Sequence, residues 1–154
     1  MAARPAFALD SHLFFWLTQV MGARDRRLNA ELKAFDLRVP EWRALAAIYS
    51  RRACTMSELA ELASIDRTTL TRTIDRMQES GWLGRNADGE DMRVTRLALT
   101  AAGERLFARV WPTVERLNDA ALAGLSAAAV ERLRATLAQM KANLDEEPAA
   151  ERAA

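Results

Sequence analysis

Apolar residues recur at three- and four-residue spacing along most of the chain, a period that predicts a protein built mainly of helices. Leu13, Trp16, Leu17, Val20, Leu28, Leu32 and Phe35 mark a first helix over about 9–35, with Asp10 or Ser11 available as its cap. Pro40 suits the first turn of a second helix, which runs through Trp42, Leu45, Ala46, Ile48 and Tyr49 to near Arg51-Arg52. Thr55 and Glu58 have the spacing of a capping box, so a short third helix carries Leu59 and Leu62. Ser64-Ile65-Asp66 breaks it. Asp66 can then cap a fourth helix, running to about Ser80, and Gly81 suits the left-handed turn that would end it.

At Trp82-Leu83 the period changes. A polar tip over Asn86 to Asp91 contains Asp88-Gly89, and Val94 to Leu99 alternates loosely, which together predict a β-hairpin. From Thr100 the helical period returns in Leu106, Val110, Val114 and Leu117, with an interruption expected at Pro112. A last helix holds Val130, Leu133, Leu137, Met140 and Leu144, and the small, charged residues 148–154 are expected to be disordered. The fold class is therefore mainly α with one small β-hairpin.

Composition narrows the function classes. With 154 residues, half of them apolar, the chain can build one real core. No window holds the roughly 18 consecutive apolar residues of a membrane span, and residues 1–10 lack a signal-peptide pattern, so a cytoplasmic protein is expected. The one cysteine, Cys54, excludes an internal disulfide and a cysteine metal cluster. One histidine, no glycine-rich phosphate loop and no nucleophile elbow argue against an enzyme, and no metal or cofactor is expected. Net charge is only +1, and residues 41–100 carry 9 basic against 9 acidic side chains, so a DNA-binding reading has to rest on where the charges sit.

Their placement supports that reading. Two helices separated by a short break and followed by a hairpin form a winged helix-turn-helix. At 100° per residue, Leu70, Ile74 and Met77 share one side of the fourth helix. Thr68 and Arg72 then face away, flanked by Thr69, Thr71 and Arg76. Threonine hydroxyls can meet bases or phosphates, and arginine can fork onto guanine. The hairpin adds Arg85, Arg93 and Arg96. The alternative is a winged helix that turns this face to a protein partner.

The segment TMSELAELASIDRTTLTRTIDRMQESGWLGRNADGEDMRVTRLALTAAG resembles the core of the MarR family of bacterial regulators. The matching elements are Leu59-Ala60, Asp66-Arg67-Thr68-Thr69, Thr71-Arg72, Gly81, Arg85, Asp91-x-Arg93 and Leu99-Thr100-x-x-Gly103. The resemblance implies a homodimeric, ligand-responsive regulator, a repressor, on palindromic duplex DNA. Its recognition helix would enter the major groove and its wing the minor groove. Arg67, Thr68, Thr69, Thr71, Arg72, Arg76 and Arg85 would face DNA, with Arg93 as the wing arginine and Asp91 orienting it. By role, 40–100 would form the DNA-binding region, and 1–39 with 101–147 the helical dimerisation region. Gly84, where a β-branched residue is common, and Glu90 at the wing tip depart from the family pattern.

Many members of that family release DNA on binding a small aromatic or phenolic compound. His12, Phe15, Trp16, Trp42, Arg43 and Tyr49 are the candidate lining of such a pocket, since an aromatic cleft with one arginine suits an aromatic carboxylate. Cys54 has Arg51 and Arg52 nearby, which could lower its pKa. Without a second cysteine to resolve an oxidised form, the inert reading is the expectation.

Overall fold

The computed structural model describes residues 8–87 and 95–146. A single 3-10 turn, Leu9–Ser11, precedes α1 (Leu13–Leu32); α2 (Val39–Arg51), β1 (Ala53–Cys54), α3 (Met56–Ala63) and α4 (Arg67–Glu79) follow. Then come β2 (Leu83–Ala87), β3 (Thr95–Leu99), α5 (Ala101–Leu122) and α6 (Ala127–Asp145). Packing divides the chain into two compact units, one running to Leu117 and the other starting at Asn118. Leu28 and Leu32 of α1, and Leu106, Val110 and Val114 of α5, share one core with Leu45, Ile48, Leu59, Leu70, Ile74 and Met77.

Local chemistry explains most element ends. Thr55 caps α3 reciprocally: its N–H donates to Glu58 Oε2 at 2.7 Å, while its Oγ1 accepts from Glu58 N–H at 3.3 Å. Asp66 Oδ1 accepts from Thr69 N–H at 2.9 Å and starts α4. At the other end Gly81 takes φ +72°; its N–H donates to Gln78 O and that of Trp82 to Met77 O, a Schellman closure. At α2, Glu41 Oε2 accepts from Arg38 N–H at 2.8 Å, while the arginine at the cap position has no acceptor to offer in return.

Four expectations need correction. Neither Asp10 nor Ser11 caps α1: Ser11 Oγ donates to Ala8 O at 2.7 Å, and the helix begins after His12 with no side-chain cap. Pro112 does not interrupt α5, which runs through it with Val110 and Val114 buried on either side. Asn86 and Ala87 belong to a strand, paired with Arg96 and Thr95. The sheet also has three strands in the order β1-β3-β2, because Ala53 and Cys54 pair antiparallel with Ala98 and Leu97.

The start of α5 is clasped to the end of α4. Thr100 N–H donates to Trp82 O at 3.0 Å, its Oγ1 donates to Gly81 O at 2.7 Å, and the same Oγ1 accepts from Gly103 N–H at 3.1 Å. A Cβ on Gly103 would sit 2.2 Å from Trp82 O, so only glycine permits this approach. The Leu-Thr-x-x-Gly signature is thus a packing requirement at the root of the hairpin. Gly84 answers no such need, since a Cβ there would meet its nearest neighbours at 4.0 Å.

Candidate nucleic-acid interface

Helix α4 separates its residues sharply. Leu70, Ile74 and Met77 are 0–1% exposed, and Thr73 joins them with its Oγ1 donating to Thr69 O at 2.8 Å. Arg67, Thr68, Thr71 and Arg72 lie on the exposed side and line one open surface hollow. Among the described residues no carboxylate pairs with Arg67 or Arg72. Thr71 Oγ1 donates to Arg67 O at 3.0 Å, which leaves that oxygen as an acceptor and its methyl free for an apolar contact. Thr69 is half-buried. Its N–H holds the Asp66 carboxyl below the ordinary carboxylate value, with help from its hydroxyl.

Arg76 departs from its expected place. One Nη lies 3.1 Å from Glu41 Oε1; the other lies 3.2 Å from Asp36 Oδ2 and donates to Asp36 O at 3.1 Å. The Glu41 carboxylate is buried, so this guanidinium is committed to joining α4 to the start of α2. Its sequence position flanks the outward face, but its charge is shared between buried Glu41 and exposed Asp36. Arg96 in β3 likewise turns to α3, 3.8 Å from Glu58. Arg85 stands in β2, opposite Leu97, while Asp88, Gly89, Glu90, Asp91 and Arg93 lie outside the described residues.

The six candidate effector residues fall into separate settings. Phe15 and Trp16 meet edge to face at 5.2 Å, and Trp16 Nε1 donates to Asp10 O at 2.8 Å. His12 precedes α1 on an exposed turn. Arg43 pairs with Asp25 at 2.7 Å. Trp42 is buried and stacks on Phe107 at 5.5 Å, and Tyr49 stacks on the same ring at 3.8 Å. Phe107, which the sequence reading passed over, therefore fills the space between them. Its i, i+4 relation to Trp111, stacked on it at 6.0 Å, was the available signal. Of the six, Tyr49 lines a cleft of about 640 Å³, together with Ile48, Ser50, Arg52, Leu99 and Glu104.

Cys54 is buried in β1. Burial pushes its thiol pKa up, the Glu58 carboxylate adds to the rise, and Arg96 opposes it. The lowering considered for Arg51 and Arg52 is not what governs this thiol.

Comparison with known proteins agrees with this geometry. The MarR family model matches residues 37–95. The HTH-type transcriptional repressor IacR of Pseudomonas putida is 30% identical over 143 residues, covering 93% of this chain and 86% of that protein. A MarR-family transcriptional regulator from Silicibacter pomeroyi superposes with a TM-score of 0.83 at 27% identity, over 94% of this chain and 99% of that one. A mutant of E. coli MarR, solved in complex with operator DNA, gives a TM-score of 0.74 at 26% identity, over 89% and 99%.

Proposed function

The chain belongs to the MarR family of transcription regulators, and from that premise we propose that it is a homodimeric repressor that reads a palindromic operator through α4. The observation that carries this reading is the outward face of α4. Arg67, Thr68, Thr71 and Arg72 stand exposed there, backed by the buried triad Leu70, Ile74 and Met77. A rigid helix whose guanidinium groups pair with no carboxylate among the described residues fits the major groove. Arg85, Asp91 and Arg93 complete the reading as the wing, whose arginine would enter the negative potential of a narrow minor groove.

A second copy is supported by apolar surface that is exposed among the described residues. Leu13, Phe14, Val20 and Met21 of α1 are 46–61% exposed, and α6 buries none of its residues. Two copies joined by such faces would set two recognition helices about one helical turn apart.

Control by a small aromatic or phenolic effector is the finer part of the proposal. Of the candidate residues, Tyr49 lines a cleft, which also offers Arg52 to a carboxylate. An effector preferring a dimer with the wrong helix spacing would release the DNA.

The test is fluorescence anisotropy on the chain's own upstream promoter and on a random duplex, at several salt concentrations. Tight promoter binding that weakens steeply with salt, and much weaker binding to the random duplex, is expected. No binding to either duplex at low salt would overturn the reading in favour of a protein-contact module.

A further inference from the structure

A second basic feature lies beside the recognition helix, on an element outside the helix-turn-helix. A cleft of about 220 Å³ opens between the start of α2 and the middle of α4, lined by Arg38, Glu41, Thr69, Arg72 and Arg76 among others. Its charges are unevenly committed. Both Glu41 oxygens are engaged, Oε2 by Arg38 N–H and Oε1 by Arg76, and Arg76 is further held by Asp36. The guanidinium groups of Arg38 and Arg72 have no carboxylate partner among the described residues. Two uncompensated cations therefore open onto one polar cleft.

Arg38 is also well anchored. Leu37 before it is buried in the core, its own N–H is held by Glu41, and its carbonyl accepts from Trp42 N–H at 3.0 Å. The backbone is fixed and the side chain is exposed, an arrangement that lowers the entropy cost of placing a charge. Cap positions usually carry a side-chain oxygen. An arginine side chain has no acceptor to cap the helix, and here it is exposed beside Arg72.

We propose that Arg38 seats a backbone phosphodiester of the bound duplex, flanking the base step that Arg72 reads. The proposal rests on the DNA-binding reading above and extends it to α2. A phosphate held by Arg38 beside that step would fix the register of α4 in the groove while carrying no sequence information itself.

The experiment compares the parent protein with Arg38→Ala and Arg38→Lys on promoter and random duplexes, following log K against log salt. Each phosphate contact contributes a slope of about 0.9, so Arg38→Ala should flatten the slope by about 1.8 for a dimer with both sites filled. Affinity should fall by a similar factor on both duplexes, and Arg38→Lys should retain most of the slope as a point charge. Thermal melts of all three proteins establish that each is folded. An unchanged slope for Arg38→Ala, with the parent binding normally, overturns this assignment and leaves the DNA reading intact. A loss confined to the promoter duplex also overturns it, since that marks base reading or positioning. Failure of the parent to bind either duplex overturns both.

Discussion

Helices α4 and α6 carry the same kind of apolar stripe and meet opposite fates. In α4 the stripe of Leu70, Ile74 and Met77 is sealed within its own chain. In α6, Leu133, Leu137 and Leu144 are 39–73% exposed, and no residue of the helix is buried. A periodic stripe states that a face must be covered, without saying by what. The sealed stripe holds α4 rigidly against the core. The open one is the face on which the proposed second copy would sit.

The sharpest way to break that contrast is to truncate each stripe in turn. Leu70→Ala should lower the unfolding free energy by about 2–5 kcal/mol, read from denaturant melts, because the fully enclosed site cannot collapse around the cavity. Leu137→Ala should leave the melt of a dilute, dissociated sample nearly unchanged and weaken self-association by about 1.5–3 kcal/mol for each copy, read by sedimentation. If Leu137→Ala melts like Leu70→Ala and its mass distribution is that of the parent, the open stripe is internal after all.

Within α4 the contrast recurs between two arginines one turn apart. Arg72→Ala should cost about 1–3 kcal/mol of promoter binding with little change in melting temperature, provided it reads a guanine. Arg76→Ala should lower the melting temperature instead, by stranding the buried Glu41 carboxylate. Equal melting temperatures for the two variants would erase the distinction between reader and brace.

The smallest effects are in pH. The Asp66 carboxyl is held low by Thr69, so the folded state releases its proton more readily than the unfolded chain. That stabilisation is present above the ordinary carboxylate pKa of about 4 and is lost as pH falls through the depressed folded value. Cys54 runs the other way. Its raised pKa gives a contribution present below the ordinary thiol value of about 8.5 and lost as pH climbs through the folded value. Melting temperature should therefore sag at both ends of a pH series. Asp66→Asn, which keeps a capping oxygen without the titration, should flatten the acid side.

What was legible in the sequence was mostly local. Thr55 with Glu58, Asp66 as a cap and Gly81 as a stop act within a few residues of themselves, so spacing alone exposes them. The ion pairs of Arg76 were not legible because its partners, Asp36 and Glu41, are 35 and more positions away in the chain. Strand β1 was missed because two residues make no periodic pattern, and its partner β3 is over 40 residues downstream. Pro112 looked like a break because its missing N–H is a local cost, whereas the packing of Val110 and Val114 that holds α5 together is tertiary. The effector candidates were chosen as aromatics at helical spacing, and Phe107, from a distant helix, occupies the space between two of them.

The pairing of Ala53 and Cys54 with Ala98 and Leu97 has a consequence for how the molecule assembles. It closes a loop that contains all of α3, α4 and β2, so these elements are formed inside a ring of chain. Closing such a loop is entropically opposed, and little local pairing rewards it until the helices inside have docked. The clasp is therefore expected to be a late event on the folding route and an early one on unfolding. In hydrogen exchange the amides of this short ladder should open at lower free energy than those of α4. A chain of this design can loosen the short ladder at the rim without melting α4 itself.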